Sequence, residues 1–244
     1  MKQVLSLSLR TFKEIIRDPL SFIFGLGFPI VLIIIMSLIQ MNIPVDLFLP
    51  ERLVPGMTIF GHAFLTLFAS MLVAKDRETA FLERLYTTPL KGWQFILGYI
   101  LPLLPLALAQ SLACYLCGLC FKLEPTIGIL YGVLGGVPIS IFFIALGILF
   151  GSILSLKAVG GICGALVTNL TSLLSGLFFD VTLVGKGFEI FAKCLPFIHA
   201  VELEKMLYIC DFTDCLLPIL VLGGYTLVSI ILAILLFLRQ MKKR

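Results

Sequence analysis

Few residues in this chain have side chains that could carry out chemistry, and most of these lie in apolar surroundings. The three thiols of Cys114-x-x-Cys117-x-x-Cys120 recur every third residue, which would put them near one face of a helix. A metal site would need a fourth ligand and solvent access, but the run itself holds no histidine or carboxylate and lies within an apolar segment. We therefore interpret them as cysteines that pack like small apolar residues, and we expect no metal site.

Common catalytic and nucleotide-binding motifs are absent from the sequence. It contains no G-x-S-x-G nucleophile motif, no H-E-x-x-H metal motif and no G-x-x-x-x-G-K-[ST] phosphate loop. Gly185-Lys186-Gly187 lacks both the upstream glycine and the following serine or threonine. We predict that the chain is not an enzyme and binds no cofactor itself. If ATP drives this protein, another chain must bind it.

Polar residues recur on two apolar segments at spacings that put each set on one helical face. The two sets are Thr58, His62, Thr66 and Ser70, and Thr168, Thr171, Ser172 and Ser175 with Asn169 beside them. Two interpretations stay open: these stripes line a wet path, or they form hydrogen bonds between helices or within their own helix. An intramembrane histidine is a candidate functional group. No charged residue shares its segment, however, so we propose no proton relay.

The elements that must position these residues are membrane spans. Of the 244 residues, 60% are apolar and 13% are charged, whereas a soluble domain is about 45–50% apolar and about 25% charged. This composition excludes a soluble enzyme and a disordered chain. Six stretches of 22 to 32 residues carry no charge, and about 20 apolar residues cross a bilayer. We predict an all-α polytopic membrane protein of one domain, residues 1–244, with spans near 20–40, 53–74, 95–119, 128–154, 160–179 and 215–238.

The placement of charges predicts the orientation of the chain. With six spans, both termini, the 75–91 loop and Lys157 share one side, which holds 13 of the 18 basic residues and five of the 14 acidic residues. Cytoplasmic loops carry an excess of lysine and arginine, so we predict that both termini are cytoplasmic. The net charge of +4 is then a topology signal, and we infer no nucleic-acid partner from it.

Three segments outside the spans have amphipathic sequences. Residues 1–19 separate apolar and charged side chains at helical spacing, as expected of a helix that lies in the membrane interface. The 75–91 loop is rich in helix formers. The external segment 180–214 is broken at Cys194-Leu195-Pro196, and it is either a re-entrant pair of short helices or a solvated loop. Whether Cys194, Cys210 and Cys215 form a disulfide stays open, because sequence alone does not choose a pair.

The loop between spans two and three carries a family resemblance. It contains the run Arg77-Glu78-x-x-x-Leu82-Glu83-x-Leu85-x-x-Thr88-Pro89. This run resembles the cytoplasmic loop of ABC-2 type transporter permeases, whose usual form is R-E-x-G-T-L-E-x-L-x-x-T-P. Ala80 and Phe81 depart from the usual glycine and threonine. Further matching features are Pro55-Gly56, Arg17-Asp18-Pro19 and Leu195-Pro196, so the resemblance covers essentially the whole chain.

The resemblance implies a permease subunit of an ATP-driven exporter in the cell membrane of a bacterium. Two permeases, identical or related, would stand in the lipid bilayer above two separate ATPase subunits that bind ATP and Mg²⁺. The loop would be the coupling helix, which contacts the ATPase through Arg77, Glu78, Leu82, Glu83, Arg84, Leu85, Thr88 and Pro89. Substrate would pass through a central interface formed largely by spans two and five. Its candidate residues are Thr58, His62, Phe64, Thr66, Phe68, Thr168, Asn169, Ser172, Leu173 and Leu174.

Two rival classes of function stay open at this point. A membrane-embedded lipid-modifying enzyme would need acids and histidines in or near the bilayer, and the predicted spans offer only His62. A channel or carrier outside the ABC class would want charged residues at mid-membrane depth, and the predicted spans hold none. The sequence does not specify the substrate. A path lined by phenylalanine, leucine and threonine would suit lipids, hydrophobic drugs, peptides and lipid-linked glycans alike.

Overall fold

The computed structural model describes residues 2–19, 23–79, 91–179 and 181–242, and these ranges contain helices and no strand. Six helices are long and apolar enough to cross a membrane, and we call them spans one to six. They are Ile23–Asn42, Pro50–Glu78, Gly92–Cys120, Gly128–Ile153, Leu156–Leu174 and Leu216–Arg239. The helix of span six continues to Lys242. The predicted all-α architecture with six spans is confirmed.

Three further α-helices and a short 3₁₀-helix, Val181–Val184, lie outside the spans in the described part of the chain. The N-terminal helix covers Lys2–Ile16, and the first and second loop helices cover Lys186–Lys193 and Pro196–Ile209. The predicted break between the loop helices is confirmed, because Pro196 starts the second one at a position that needs no backbone amide. If all six helices cross the membrane, their even number puts both chain ends on one side, which we call the terminal side. The loop helices belong to the opposite side.

Spans two and five differ in extent from the sequence-based prediction. Span two is helical from Pro50 to Glu78, so it includes the first four residues of the predicted 75–91 loop, whose charges bind neighbouring elements. Span five begins at Leu156, before the predicted start at residue 160, and ends at Leu174. Gly176 has a φ of +69° and ends this helix, because glycine adopts the left-handed conformation without strain.

Span two is the centre of the bundle. Of the 18 residues that form its most apolar stretch, 83% are buried inside the chain. The corresponding shares are 22% for span one, 33% for span five and 17% for span six. Its closest neighbour is span four. A Cβ added to Gly147 would lie 2.5 Å from the Thr66 carbonyl oxygen, and one added to Gly151 would lie 2.6 Å from that of Ser70. The Gly147-x-x-x-Gly151 spacing therefore lets the two backbones touch.

Spans one and five are partly wound as π-helix. The π-helical parts are Ile23–Gly27 in span one and Gly160–Val167 in span five. Such turns are rare and occur frequently at functional sites. A Cβ added to Gly160 or Gly161 would meet no other described atom within 4 Å. Span five therefore has an uncovered flank in the single chain.

The N-terminal helix packs along span three. Leu7 lies directly over Gly98, where any added Cβ would clash with the leucine side chain, and Ser8 Oγ donates a hydrogen bond to the Gly98 carbonyl oxygen at 3.4 Å. The opposite face of the helix exposes Leu5 and Leu9. An exposed leucine face suits contact with a membrane surface. The interfacial position of this helix stays a prediction.

Candidate functional site

The first two residues of the predicted coupling motif, Arg77 and Glu78, bind backbone groups at the turn between spans four and five. Arg77 Nη1 donates to the Ser152 carbonyl oxygen at 2.6 Å, and Arg77 Nη2 donates to the carbonyl oxygen of Leu154. The Leu156 amide donates to Glu78 Oε1 at 2.8 Å. These bonds attach the end of span two to the turn. The contact of both residues with an ATPase stays a prediction.

The rest of the predicted coupling motif lies outside the described residues. It comprises Leu82, Glu83, Arg84, Leu85, Thr88 and Pro89. Both described flanks of this segment are capped by hydrogen bonds. Thr79 Oγ1 donates to the Asp76 carbonyl oxygen at 3.1 Å, and the Lys91 amide donates to Gln94 Oε1 at 2.9 Å. The described ends of spans two and three are therefore locally fixed on either side of the motif.

A charge cluster that sequence analysis did not single out joins the N-terminal helix to spans two and three. Asp76 is 2% exposed and accepts hydrogen bonds from Arg10 at 2.6 and 2.8 Å and from the Tyr99 hydroxyl at 2.6 Å. Glu14 forms ion pairs with Arg10 at 3.3 Å and Lys75 at 2.6 Å. The hydrogen bond with Asp76 raises the pKa of Arg10. Three donors stabilise the buried carboxylate.

The polar stripe of span two faces the interior of the subunit. Its four members are 0% exposed in the single chain. Thr66 Oγ1 donates to the Phe143 carbonyl oxygen of span four at 2.9 Å, and His62 Nε2 lies 3.0 Å from Ser111 Oγ of span three. The other two members bond back to carbonyl groups of their own helix. Hydrogen bonding between and within helices, the second interpretation of the stripe, describes this arrangement.

Eight of the ten candidate pathway residues are buried within the chain. They are Thr58, His62, Phe64, Thr66, Phe68, Thr168, Ser172 and Leu174. In the single chain, spans three and four cover the polar face of span two. Periodicity tells which residues share a face, but it does not tell which neighbour covers that face. A pathway role for these residues stays a prediction.

The two remaining candidates, Asn169 and Leu173, lie on the exposed flank of span five. They continue a spacing of four that begins with Gly161 and Ala165, all of which are exposed. Asn169 Nδ2 donates to the Ala165 carbonyl oxygen at 2.8 Å. An exposed amide side chain within an apolar span is costly against lipid. This flank is therefore the described part of span five best suited to contact protein or water.

Comparison with known families decides the class of the molecule. The family model described as ABC-2 type transporter matches residues 2–205, from the N-terminal helix to the second loop helix. The chain belongs to the ABC-2 type transporter family. It is a transporter permease with several membrane spans, and permeases of this family generally work with ATPase subunits. A search of the curated proteins found no significant match.

This ABC-2 permease also holds a buried carboxylate that sequence analysis did not assign to a site. Glu204 of the second loop helix is 0% exposed, and the Tyr115 hydroxyl donates to its Oε1 at 2.9 Å. Glu204 Oε2 and His62 Nδ1 have no hydrogen-bond partner among the described residues. A Cβ added to Gly136 would lie 3.0 Å from His62 Cε1 and 3.7 Å from Glu204 Oε2. Burial raises the pKa of Glu204 to about 8.

A cavity of about 910 Å³ opens on the terminal side of the permease, between the N-terminal helix and span two. Its apolar lining includes Leu9, Phe68 and Met71, and its charged lining includes Lys13 and Arg17. Four basic and two acidic residues contribute to the wall. The cavity therefore combines apolar surface with an excess of positive charge.

The seven cysteines of the permease are free thiols. Cys114 is buried and accepts from Gln110 Nε2 at 3.4 Å, whereas Cys120 of the same span is exposed. Among the described residues, no group of three or more histidine, cysteine, aspartate and glutamate side chains could hold a metal ion. On the opposite side, Cys215 Sγ lies 3.7 Å from Met206 Sδ. No disulfide joins the cysteines outside the spans.

Proposed function

We propose that this chain is the permease subunit of an ATP-driven exporter, in which two permeases, identical or related, work with two separate ATPase subunits. The family match over residues 2–205 carries the proposal. The terminal side holds 13 of the 18 basic residues, and the excess of positive charge makes this side cytoplasmic. The setting is the cell membrane of a bacterium, and the outward direction follows the family resemblance.

The ATPase subunits contact the segment between spans two and three. This segment follows Glu78, the last residue of span two, and ends where span three begins at Gly92. Both helix ends lie on the terminal side. Its sequence places apolar Leu82 and Leu85 three residues apart, a helical spacing, with charged Glu83 and Arg84 between them. ATP and Mg²⁺ bind to the partner, and the energy of hydrolysis reaches the permease through this contact.

Substrate moves along the interface between two permeases, and the uncovered flank of span five forms the wall of that path. An amide that faces hydrocarbon costs on the order of a few kcal/mol. Asn169 bonds to the Ala165 carbonyl oxygen, and a partner subunit or water supplies the further partners that its exposed amide can take. Leu173 is 46% exposed and narrows the path as an apolar gate. The cavity beside the N-terminal helix supports access from the cytoplasmic side.

Affinity purification from the native host tests the proposal. A tagged permease extracted in mild detergent should retain an ATP-binding cassette subunit that mass spectrometry identifies, and the complex should hydrolyse ATP. Glu83→Arg should reduce the amount of recovered ATPase, because a reversed charge in the coupling segment meets the same partner surface. Glu51→Arg is the matched control, since Glu51 lies at the opposite end of span two. Recovery of the permease without an ATPase would contradict the proposal.

A further inference from the structure

We propose that Arg77 and Glu78 are positioning residues, which transmit movement of the coupling segment to span five by holding the Ser152–Leu156 turn to the end of span two. The inference rests on the proposed function, because it names the internal route by which an ATPase subunit would act on the permease. It differs from the prediction that these two side chains contact the ATPase themselves.

The turn between spans four and five leaves backbone groups that need partners. Span four ends at Ile153 and the helix of span five begins at Leu156. The last carbonyl groups of one helix and the first amides of the next have no partner within their own helix. Arg77 donates to two of these carbonyl oxygens, and Glu78 accepts from the Leu156 amide at 2.8 Å. Two adjacent side chains thus satisfy both ends of the break.

The charges of the two side chains match the helix ends that they bind. The C-terminus of a helix carries partial negative charge and the N-terminus partial positive charge. The Arg77 guanidinium lies at the C-terminal end of span four, and the Glu78 carboxylate lies at the N-terminal end of span five. Exchanging the two residues would place each charge beside a helix end that repels it. The order of arginine before glutamate is therefore the order that this turn requires.

Span five is the element that this contact controls. Span four is fixed to span two independently, through the backbone approach at Gly147 and Gly151. Span five has only 33% of its most apolar window buried. Its first turn, Leu156–Val159, continues directly into the π-helical Gly160–Val167. A shift of the turn therefore moves the base of a lightly packed helix.

The position of the contact along the chain gives it access to the coupling segment. Glu78 is the last residue of the span two helix, and Thr79 is the last described residue before the rest of the motif. Along the chain, a displacement of that segment passes through Thr79 to Glu78 and Arg77. From there three hydrogen bonds lead to the turn.

The test uses the complex purified from the native host with its ATPase subunits, in nanodiscs. In a cysteine-depleted permease, Lys157→Cys places a reporter thiol at the exposed base of span five. The rate of its reaction with a water-soluble maleimide is measured without nucleotide and with ATP and vanadate. We expect the nucleotide-dependent change in rate to be lost in Arg77→Ala and in Glu78→Ala, while ATPase recovery and ATP hydrolysis persist.

Further variants separate this role from folding and from direct ATPase contact. Leu156→Pro removes the amide that donates to Glu78, at the first position of a helix, where proline is tolerated. It should abolish the response although the motif is intact. Leu156→Ala keeps that amide and controls for the loss of the leucine side chain, which packs partly against Val159. Glu78→Gln keeps the acceptor oxygen and should restore the response. Lys75→Ala removes a 2.6 Å bond to Glu14 at the same helix end and should leave the response unchanged.

The outcomes distinguish the inference from the proposed function. A full response in Leu156→Pro or Glu78→Ala would overturn the inference. Loss of the ATPase subunits from the Arg77→Ala and Glu78→Ala complexes, with retention in Leu156→Pro, would also overturn it, because the two side chains would then contact the ATPase. If the unsubstituted complex neither forms nor responds to ATP, the proposed function fails instead.

Discussion

At the scale of single residues, the permease buries two carboxylates in different ways. Asp76 accepts three hydrogen bonds, two of them from a guanidinium, so its charge is compensated where it lies. Glu204 accepts one hydrogen bond from a neutral hydroxyl, and its second oxygen has no partner among the described residues. A charge at this position is uncompensated. Protonation of Glu204 should therefore stabilise the folded permease.

Glu204→Gln should remove a pH-dependent part of the stability. Burial raises the pKa of Glu204 to about 8, from the ordinary value of 4.5. The folded chain thus holds this proton more tightly than the unfolded chain does. The stability it contributes is complete below the ordinary pKa and is lost as the pH rises through the folded pKa. The melting temperature in detergent should fall with rising pH across this window, and more steeply for the natural chain than for the variant.

A neighbouring glutamate provides the control for this measurement. Glu202 has a side chain that is 39% exposed and pairs with His199 at 3.3 Å, so Glu202→Gln should keep the pH dependence of the natural chain. His62 and Tyr115 also face the site, and both are unchanged in the two variants. Equal slopes for the natural chain and Glu204→Gln would show that the carboxyl does not titrate in this window.

Only some residues of the site are predictable from the sequence. The need of the Asn169 side chain for a protein or water partner was predictable, because an amide inside an apolar stretch is costly wherever it faces lipid. The burial of Glu204 was not predictable, because its charge indicated a position in the external segment. No local sequence pattern shows that a loop helix packs against the spans. Asp76 was missed for a similar reason. It lies between two basic residues at a helix end, and only the approach of the N-terminal helix buries it.

At the scale of helices, the contact between spans two and four depends on two glycines. Gly151→Ala should destabilise the folded permease, because the new methyl group would lie 2.6 Å from the Ser70 carbonyl oxygen and the backbones would have to separate. Overpacking of this kind costs about 1–3 kcal/mol, and each kcal/mol lowers the melting temperature by about 2–4 °C in a chain of this size. Thermal unfolding in detergent measures the difference.

Gly160→Ala is the matched control for this substitution. A Cβ at Gly160 meets no described neighbour within 4 Å, and its backbone is right-handed helical. Alanine should therefore be tolerated there or should stabilise the helix slightly. If both alanine variants melt at the same temperature, the close approach of spans two and four does not limit stability.

The helices were more predictable than their contacts. Long stretches without charge predicted the spans, and Cys194-Leu195-Pro196 predicted the division between the loop helices. The π-helical turns of span five were not predicted, because the same glycine-rich sequence is compatible with an ordinary helix. The extension of span two to Glu78 was also missed. Charges there indicated a loop, but their partners lie on the N-terminal helix and on the Ser152–Leu156 turn, far away in sequence.

At the scale of the whole molecule, the exposed flank of span five should be an interface between permeases. Asn169→Cys in a cysteine-depleted permease should form a cross-linked dimer under mild oxidation in native membranes, since the two flanks face each other across the path. His62→Cys should not, because position 62 is enclosed by its own subunit. The measurement is the dimer band on a non-reducing gel.

A position on span six completes this experiment. Leu220 is 63% exposed, so Leu220→Cys controls for collisions between exposed thiols in the membrane. Cross-linking at position 220 without cross-linking at position 169 would place the interface on span six. The sequence does not predict whether span five or span six forms the interface. Helices that are apolar on all sides carry no pattern that specifies their neighbours.

The central position of span two has a consequence for the synthesis of the chain. The group that His62 contacts is made 49 residues later, and the carbonyl that Thr66 binds is made 77 residues later. At roughly 5–20 residues per second, a ribosome needs about 4–15 s to add those 77 residues. During that interval span two has been made, but its polar side chains lack the neighbours that later satisfy them. The helix at the centre of the finished permease is thus among the first to leave the ribosome and among the last to be fully enclosed.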